Sequence, residues 1–180
     1  MCSSDLTRQT EGTPFAHDIA INASGIQPPR ALLARLDPGG ALPAVFEALT
    51  IDATVSFDAQ WDRISYARQR PQITGLEWKN FQAIWGDLDL SASGELAIDA
   101  RGVPSGLITL RTSDWREMLA IGIANGAVSS GVSQTFERAL ELLAALSDDP
   151  DVLEIPLRFK DGFMSFGPIP LGPAPRLARR

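Results

Sequence analysis

The stretch at residues 49–58, LTIDATVSFD, decides the class of fold. Every second position is apolar: Leu49, Ile51, Ala53, Val55 and Phe57. Successive side chains of a β-strand point to opposite faces, so this alternation is typical of a strand with one buried face and one wet face. We therefore predict a long amphipathic strand in a sheet that is covered on one side.

The same alternation continues on either side of this stretch. It is present at residues 18–23 and again at residues 88–98, where Gly94 interrupts the apolar positions as at a bulge or bend. A turn at residues 99–104 leads to a returning strand at 106–111. Residues 73–78 and 81–85 are predicted to form two short strands. Lys79 and Asn80 would form the turn between them.

Two segments follow the helical period instead. Residues 113–125 place Trp115, Met118 and Leu119 on one face, with Asp114 as a candidate N-cap and Asn125-Gly126 as the stop. Residues 131–146 place apolar side chains on one stripe and charged ones on the other. We predict two helices, at about 113–125 and 131–146, packed on the apolar face of the sheet.

The C-terminal part returns to strand periodicity. Residues 152–159 and 163–166 flank Asp161-Gly162, a strong signal for a β-hairpin. The stretch 167–175 is rich in Pro and Gly and suits an edge or an extended tail. The predicted fold class is α+β: a mostly antiparallel, curved, amphipathic sheet, two helices, a C-terminal hairpin and an extended tail. Residues 25–43 are the candidate linker.

The composition excludes several classes of function. The chain has 180 residues, with 16 Lys and Arg against 22 Asp and Glu, giving a net charge of −6. Such a charge argues against a nucleic-acid partner, which needs clustered cations. The longest apolar run, residues 118–124, is far short of the roughly 20 residues that span a bilayer. No phosphate-binding glycine motif occurs, and we predict no cofactor.

The first six residues, MCSSDL, resemble the translation of a sequencing adapter. We expect residues 1–6 not to belong to the protein. Residues 7–180 would then form one α+β domain, the C-terminal part of a longer protein. The alternative is a genuine start at Met1. Without Cys2 the chain has no cysteine, so thiolate catalysis and disulfides would be excluded.

The titratable residues do not form a recognisable catalytic pattern. His17 stands beside Asp18, but no nucleophile motif accompanies it. A cation could bind the acidic cluster near the end of the second helix: Asp148, Asp149, Asp151 and Glu154. Glycoside chemistry would need two facing carboxylates among four strand residues: Asp52, Asp58, Asp87 and Asp89. A solvated surface is the simpler interpretation of both sets, and we predict that the protein is not an enzyme and holds no metal.

The tryptophans are the candidate ligand-contacting residues: Trp61, Trp78, Trp85 and Trp115. Aromatic side chains on the concave face of a curved sheet could receive an acyl chain, because such sites are mostly apolar with few polar groups. Packing between the sheet and the helices is the alternative role for the same four side chains.

Five motifs together resemble one family. They are WGDLDLSASG at 85–94, DARGVPSG at 99–106, DW at 114–115, KDG at 160–162 and FGPIPLGP at 166–173. In this order they are similar to the alphaproteobacterial domain-of-unknown-function family 2125. More distantly, the long amphipathic strands resemble the AsmA-like envelope proteins, whose β-rich grooves are associated with lipid handling.

The resemblance implies a location and a kind of partner. Family members carry a hydrophobic N-terminal segment and a body facing the periplasm, so we expect a periplasmic or inner-membrane-anchored protein. Its sheet would act as a scaffold or contact lipid or the inner membrane surface. The alternatives are a module that binds another envelope protein through an exposed sheet edge, and a hydrolase of envelope polymers that uses strand carboxylates.

Overall fold

The computed structural model describes residues 8–10, 14–37, 40, 42–60, 71–147, 149 and 152–177. Within these ranges nine strands form one open, curved sheet in which every strand pairs antiparallel with the next strand along the chain. The predicted α+β class and the mostly antiparallel sheet are confirmed.

The strands, in chain order, are β1 (Arg8–Gln9), β2 (Ala16–Ile26), β3 (Phe46–Phe57), β4 (Ile73–Trp85), β5 (Leu88–Ile98), β6 (Pro104–Thr112), β7 (Leu153–Lys160), β8 (Phe163–Phe166) and β9 (Ile169–Pro173). The helices are α1 (Arg30–Leu36), α2 (Trp115–Ala124) and α3 (Ser133–Leu146). None of the helices in the described ranges is long and apolar enough to cross a bilayer.

The predicted helix pair is confirmed and covers one half of the sheet. The carboxylate of Asp114 accepts a hydrogen bond from the backbone N–H of Glu117 at 3.2 Å, which caps α2. Gly126, with a φ of +72°, follows its end. Helices α2 and α3 contact each other, and α3 also contacts β7 and β9. The main core therefore lies between these helices and strands β5–β9.

The C-terminal hairpin is also confirmed. Asp161 and Gly162, with φ angles of +53° and +81°, form the turn between β7 and β8. Positive φ at both central residues matches the twist of a two-residue hairpin. Strand β9 forms one edge of the sheet, where Pro170 and Pro173 lack the N–H that a further strand would need.

The prediction of two short strands at residues 73–85 is wrong. They form one strand, β4, and Lys79-Asn80 is a bulge instead of a turn. Asn80 pairs with Asp52 on β3 and Trp78 pairs with Ala53, so β4 has one residue more than its neighbour. The same surplus exists against β5. The extra residue places Trp78 and Phe81 on the same apolar face, which a regular strand could not do at a spacing of three.

Gly94 does not form the predicted bulge. It stays in register with Trp78 on one side and Ile108 on the other, while the bulge lies on β4 beside it. Its φ is +133°, and a Cβ atom built there would lie 2.2 Å from the carbonyl oxygen of Leu107. The glycine is therefore required by a close approach of two backbones.

The candidate linker at residues 25–43 contains a helix, so that prediction is wrong as well. Helix α1 follows Pro29, which occupies the N-cap position with extended backbone angles (φ −54°, ψ 141°). At its other end the carboxylate of Asp37, which is 9% exposed, accepts a hydrogen bond from the N–H of Leu42 at 2.8 Å. Pro28 and Pro29 come directly before this helix, and Gly40 lies beyond its end.

Candidate functional site

Strands β2, β3 and β4 carry an apolar surface on the same side of the sheet as the main core. Pairing aligns its residues in three rows across the strands. We call this surface the N-terminal apolar face; it consists of Ile19, Ala53 and Trp78, of Ile21, Ile51 and Phe81, and of Ala23, Leu49 and Ala83.

The N-terminal apolar face is continuous with the core but less covered. Ala53 and Ala83 are buried, whereas the larger side chains, such as Ile21 and Ile51, are half-buried. Trp78 and Phe81 pack against the main core, and their ring centroids are 4.9 Å apart. The partly exposed apolar side chains aligned in this way form a candidate contact surface.

One polar atom stands out within this face. The indole Nε1 of Trp78 is buried and has no hydrogen-bond partner among the residues that the structure describes. Buried donors are nearly always paired in folded proteins, so an unpartnered one calls for a specific explanation. Because this nitrogen has no accessible surface, the face offers a ligand apolar contacts without an exposed polar anchor, which suits a ligand that is mostly hydrocarbon.

The described tryptophans do not gather at one point. Trp115, 1% exposed, lies in the main core at the start of α2. Trp85 is buried at the end of β4, stacked on Phe46 at 4.4 Å, and its indole N–H donates to the carbonyl of Pro43. Trp78 lies on the N-terminal apolar face, and Trp61 lies outside the described residues. Ligand contact by these residues stays a prediction.

Sequence reasoning did not single out the other members of this face. Ile19 and Ile21 belong to the alternating stretch 18–23. That pattern predicts a strand, but it does not predict how exposed these side chains are. The sequence predicts Phe81 and Trp78 on separate strands, whereas the bulge in β4 places them on one face.

The polar side of the same three strands carries an ion pair with an additional hydrogen bond. Asp18 on β2 accepts hydrogen bonds from the Thr54 hydroxyl at 2.5 Å and from Lys79 Nζ at 3.2 Å. The Thr54 hydrogen bond, and then Lys79, hold the pKa of the Asp18 carboxyl below its usual value. The hydrogen bond to Asp18 raises the pKa of Lys79 in turn. Asp18 on β2 thus connects to Thr54 on β3 and to the bulge residue Lys79 on β4, at a partly exposed site where ion pairs contribute little stability.

The strand carboxylates are spread along the sheet. Register places Asp89 level with Ala48, about 13 Å along the strand direction from Asp52 and about 33 Å from Asp58. Asp87 and Asp89 are close in sequence and exposed at the β4–β5 turn. Glycoside hydrolysis uses two carboxyl groups roughly 5 to 10 Å apart, a spacing that Asp52, Asp58 and Asp89 do not provide.

The remaining polar candidates show no assembled centre in the described part of the chain. The His17 ring contacts Phe57 edge-on, with centroids 5.9 Å apart. Glu154 pairs with Arg111 at 3.3 Å, while Asp148 and Asp151 lie outside the described residues. No group of three potential metal ligands occurs among the residues with described positions.

The two edges of the sheet differ in their protection. One edge is formed by β9 with its prolines, and the opposite edge is formed by β1 and β2. Strand β1 pairs with His17 and Asp18. Along residues 19–26, IAINASGI, no described strand lies on the outer side of β2, and this stretch contains neither Pro nor Lys. Such an edge presents free backbone donors and acceptors.

Comparison with known proteins identifies the family. A family model described as "Uncharacterized protein conserved in bacteria (DUF2125)" matches residues 5–175. Neither the curated proteins nor the solved structures give a match. Because the family model covers nearly the whole chain and agrees with the motifs at residues 85–173, this chain belongs to the bacterial family DUF2125.

Proposed function

We propose that this chain is a non-enzymatic protein of the bacterial cell envelope, facing the periplasm, whose sheet contacts lipid. The observation that carries the proposal is the N-terminal apolar face, in which aliphatic and aromatic side chains align in three rows across β2, β3 and β4. The family resemblance to alphaproteobacterial envelope proteins, and the wider likeness to AsmA-like proteins, supports the location.

The dimensions and chemistry of the face suit an acyl chain. Three strands give a width of about 10 Å, from two inter-strand spacings. Partly exposed aliphatic side chains such as Ile21 and Ile51 offer hydrocarbon contact. The wide separation of Asp52, Asp58 and Asp89 is consistent with binding instead of hydrolysis.

The charge of the chain indicates which force would hold the lipid. With a net charge of −6, the protein has no overall attraction to anionic headgroups. Contact should therefore rest on apolar burial, which is only weakly sensitive to moderate salt. We expect stronger association with zwitterionic phosphatidylcholine vesicles than with vesicles rich in phosphatidylglycerol.

The test compares two substitutions that add the same charge on neighbouring residues of β2. Ile21→Asp places a carboxylate on the N-terminal apolar face, whereas Asn22→Asp places one on the exposed polar side. Burying an isoleucine side chain is worth about 1.5–3 kcal/mol. We expect Ile21→Asp to weaken binding to phosphatidylcholine vesicles about tenfold or more, measured by flotation, and Asn22→Asp to leave it unchanged.

Circular dichroism of both variants checks that the fold is retained. Vesicle binding that is absent in the unmodified chain, or equal in the two variants, would contradict the proposed lipid contact.

The unprotected edge of β2 favours a second candidate, a module that binds an extended strand of another envelope protein. Residues 19–26 provide the required backbone groups without Pro or Lys. The same pair of variants separates the candidates. Edge pairing uses backbone groups, which neither substitution removes. It therefore predicts no difference in vesicle binding between Ile21→Asp and Asn22→Asp.

The envelope location has its own test. We expect a reporter fused to the C-terminus of the intact gene product to be active when it is a periplasmic reporter, such as alkaline phosphatase, and inactive when it is a cytoplasmic one. The opposite pattern would remove the proposed location while leaving the lipid experiment valid.

A further inference from the structure

The main core contains a cavity of about 140 Å³ between helix α2 and the sheet. Apolar residues of α2, α3 and strands β6–β9 line it, together with the α2–α3 connection. Those that matter for the argument are Met118, Leu119, Gly122, Val128, Phe136 and Met164. We propose that this cavity binds the end of a hydrocarbon chain about six carbon atoms long.

The volume supports an occupant of this size. Protein interiors are packed with few voids, and an empty apolar void destabilises the fold in proportion to its volume. An engineered apolar cavity of about 150 Å³ in another protein stays dry and binds benzene, a molecule of six carbon atoms. The cavity under α2 has nearly that volume.

The lining determines the chemistry of the occupant. A ligand group bearing a hydroxyl or a charge would lose its hydration and find no partner on these apolar side chains. Gly122, in the last turn of α2, leaves room where any other residue would place a side chain. Met118 and Met164 have flexible, polarisable side chains that adapt to an inserted chain. A plain hydrocarbon end is therefore the ligand that fits.

This inference does not depend on the proposed lipid contact. The cavity lies under α2, and its lining shares no residue with the N-terminal apolar face. Failure of vesicle binding would thus leave the cavity untouched, and an empty cavity would leave vesicle binding untouched.

The methionines allow a direct measurement. The chain has three, and two of them, Met118 and Met164, line the cavity. With ¹³C-methyl methionine, we expect the NMR signals of these two to shift in a saturable way as 1-hexanol is added. We expect 1,6-hexanediol, which has the same length but a hydroxyl at each end, to cause no saturable shift.

Two variants reduce the volume of the cavity by different amounts. Leu119→Phe adds a ring to the cavity wall. Gly122→Ala adds one methyl group, which would lie 3.6 Å from the Cγ2 atom of Val128, an ordinary contact. We expect the affinity for 1-hexanol to fall at least tenfold in Leu119→Phe and about threefold in Gly122→Ala. Gly131→Ala, at a position with open space around the added atom, is the control and should bind as the unmodified chain does.

Because Gly122→Ala also removes a glycine from a helix interior, it should fold even if Leu119→Phe does not. No saturable shift with 1-hexanol in the unmodified chain, an equal shift with 1,6-hexanediol, or unchanged binding in the filled variants would each overturn the proposal.

Discussion

Replacing Gly94 with alanine is expected to lower the free energy of unfolding by roughly 3–5 kcal/mol. The added Cβ would lie 2.2 Å from the carbonyl oxygen of Leu107, and the φ of +133° is one that residues with a side chain rarely adopt. Rotating a side chain relieves neither the clash nor the unfavourable φ, because the clashing oxygen belongs to the backbone of β6. The two central strands would have to separate locally.

Urea denaturation followed by circular dichroism measures the loss. Gly131→Ala is the matched control, since nothing lies within 4 Å of the added atom and the backbone there is unstrained. It should change stability by less than about 0.5 kcal/mol. Gly106→Ala, which meets the carbonyl oxygen of Glu95 at 2.2 Å, should repeat the loss from the other strand. A Gly94→Ala protein as stable as the unmodified chain would contradict the close backbone approach of β5 and β6 at this position.

Trp115→Ala is expected to have an effect of similar size, a loss of about 3–5 kcal/mol. The side chain is 1% exposed and belongs to the main core, so its removal leaves a large void beneath the first turn of α2. Thermal and urea unfolding measure this. Arg116→Ala is the comparison, because that guanidinium lies over the Trp115 ring at 4.3 Å and its removal should lose only about 0.5–1 kcal/mol.

The same variant separates the two roles considered for the tryptophans. A structural residue loses stability when truncated, whereas a ligand-contacting residue loses binding. A Trp115→Ala protein that keeps its stability but no longer binds vesicles would place Trp115 in a lipid site and contradict its assignment to the core.

Most of the fold could be predicted because its elements have strong local periods. Strand β3 alternates over ten residues, and α3 separates its apolar and charged residues on opposite faces. The Asp161-Gly162 turn carries its own conformational preference. These signals depend on residues close in sequence, so no knowledge of the folded partners was needed.

The rest depends on partners distant in sequence. Lys79-Asn80 resembles a turn until pairing with both β3 and β5 carries the strand through it. Gly94 is a local break in apolar alternation, but its true requirement comes from the Leu107 carbonyl on the next strand. The N-terminal apolar face likewise could not be distinguished from the core, because sequence does not reveal which strands α2 and α3 cover.

The order of the strands bears on how the chain folds. In the described ranges each strand pairs with the one that follows it, so most pairing steps close short loops and the sheet can grow one strand at a time from the N-terminus. Three pairings close longer connections: β2 with β3, β3 with β4, and β6 with β7. The last is the longest, because the segment between Thr112 and Leu153 includes both α2 and α3. Joining the last three strands to the first six therefore closes the longest loop of the sheet, at an entropic cost that grows only slowly with loop length.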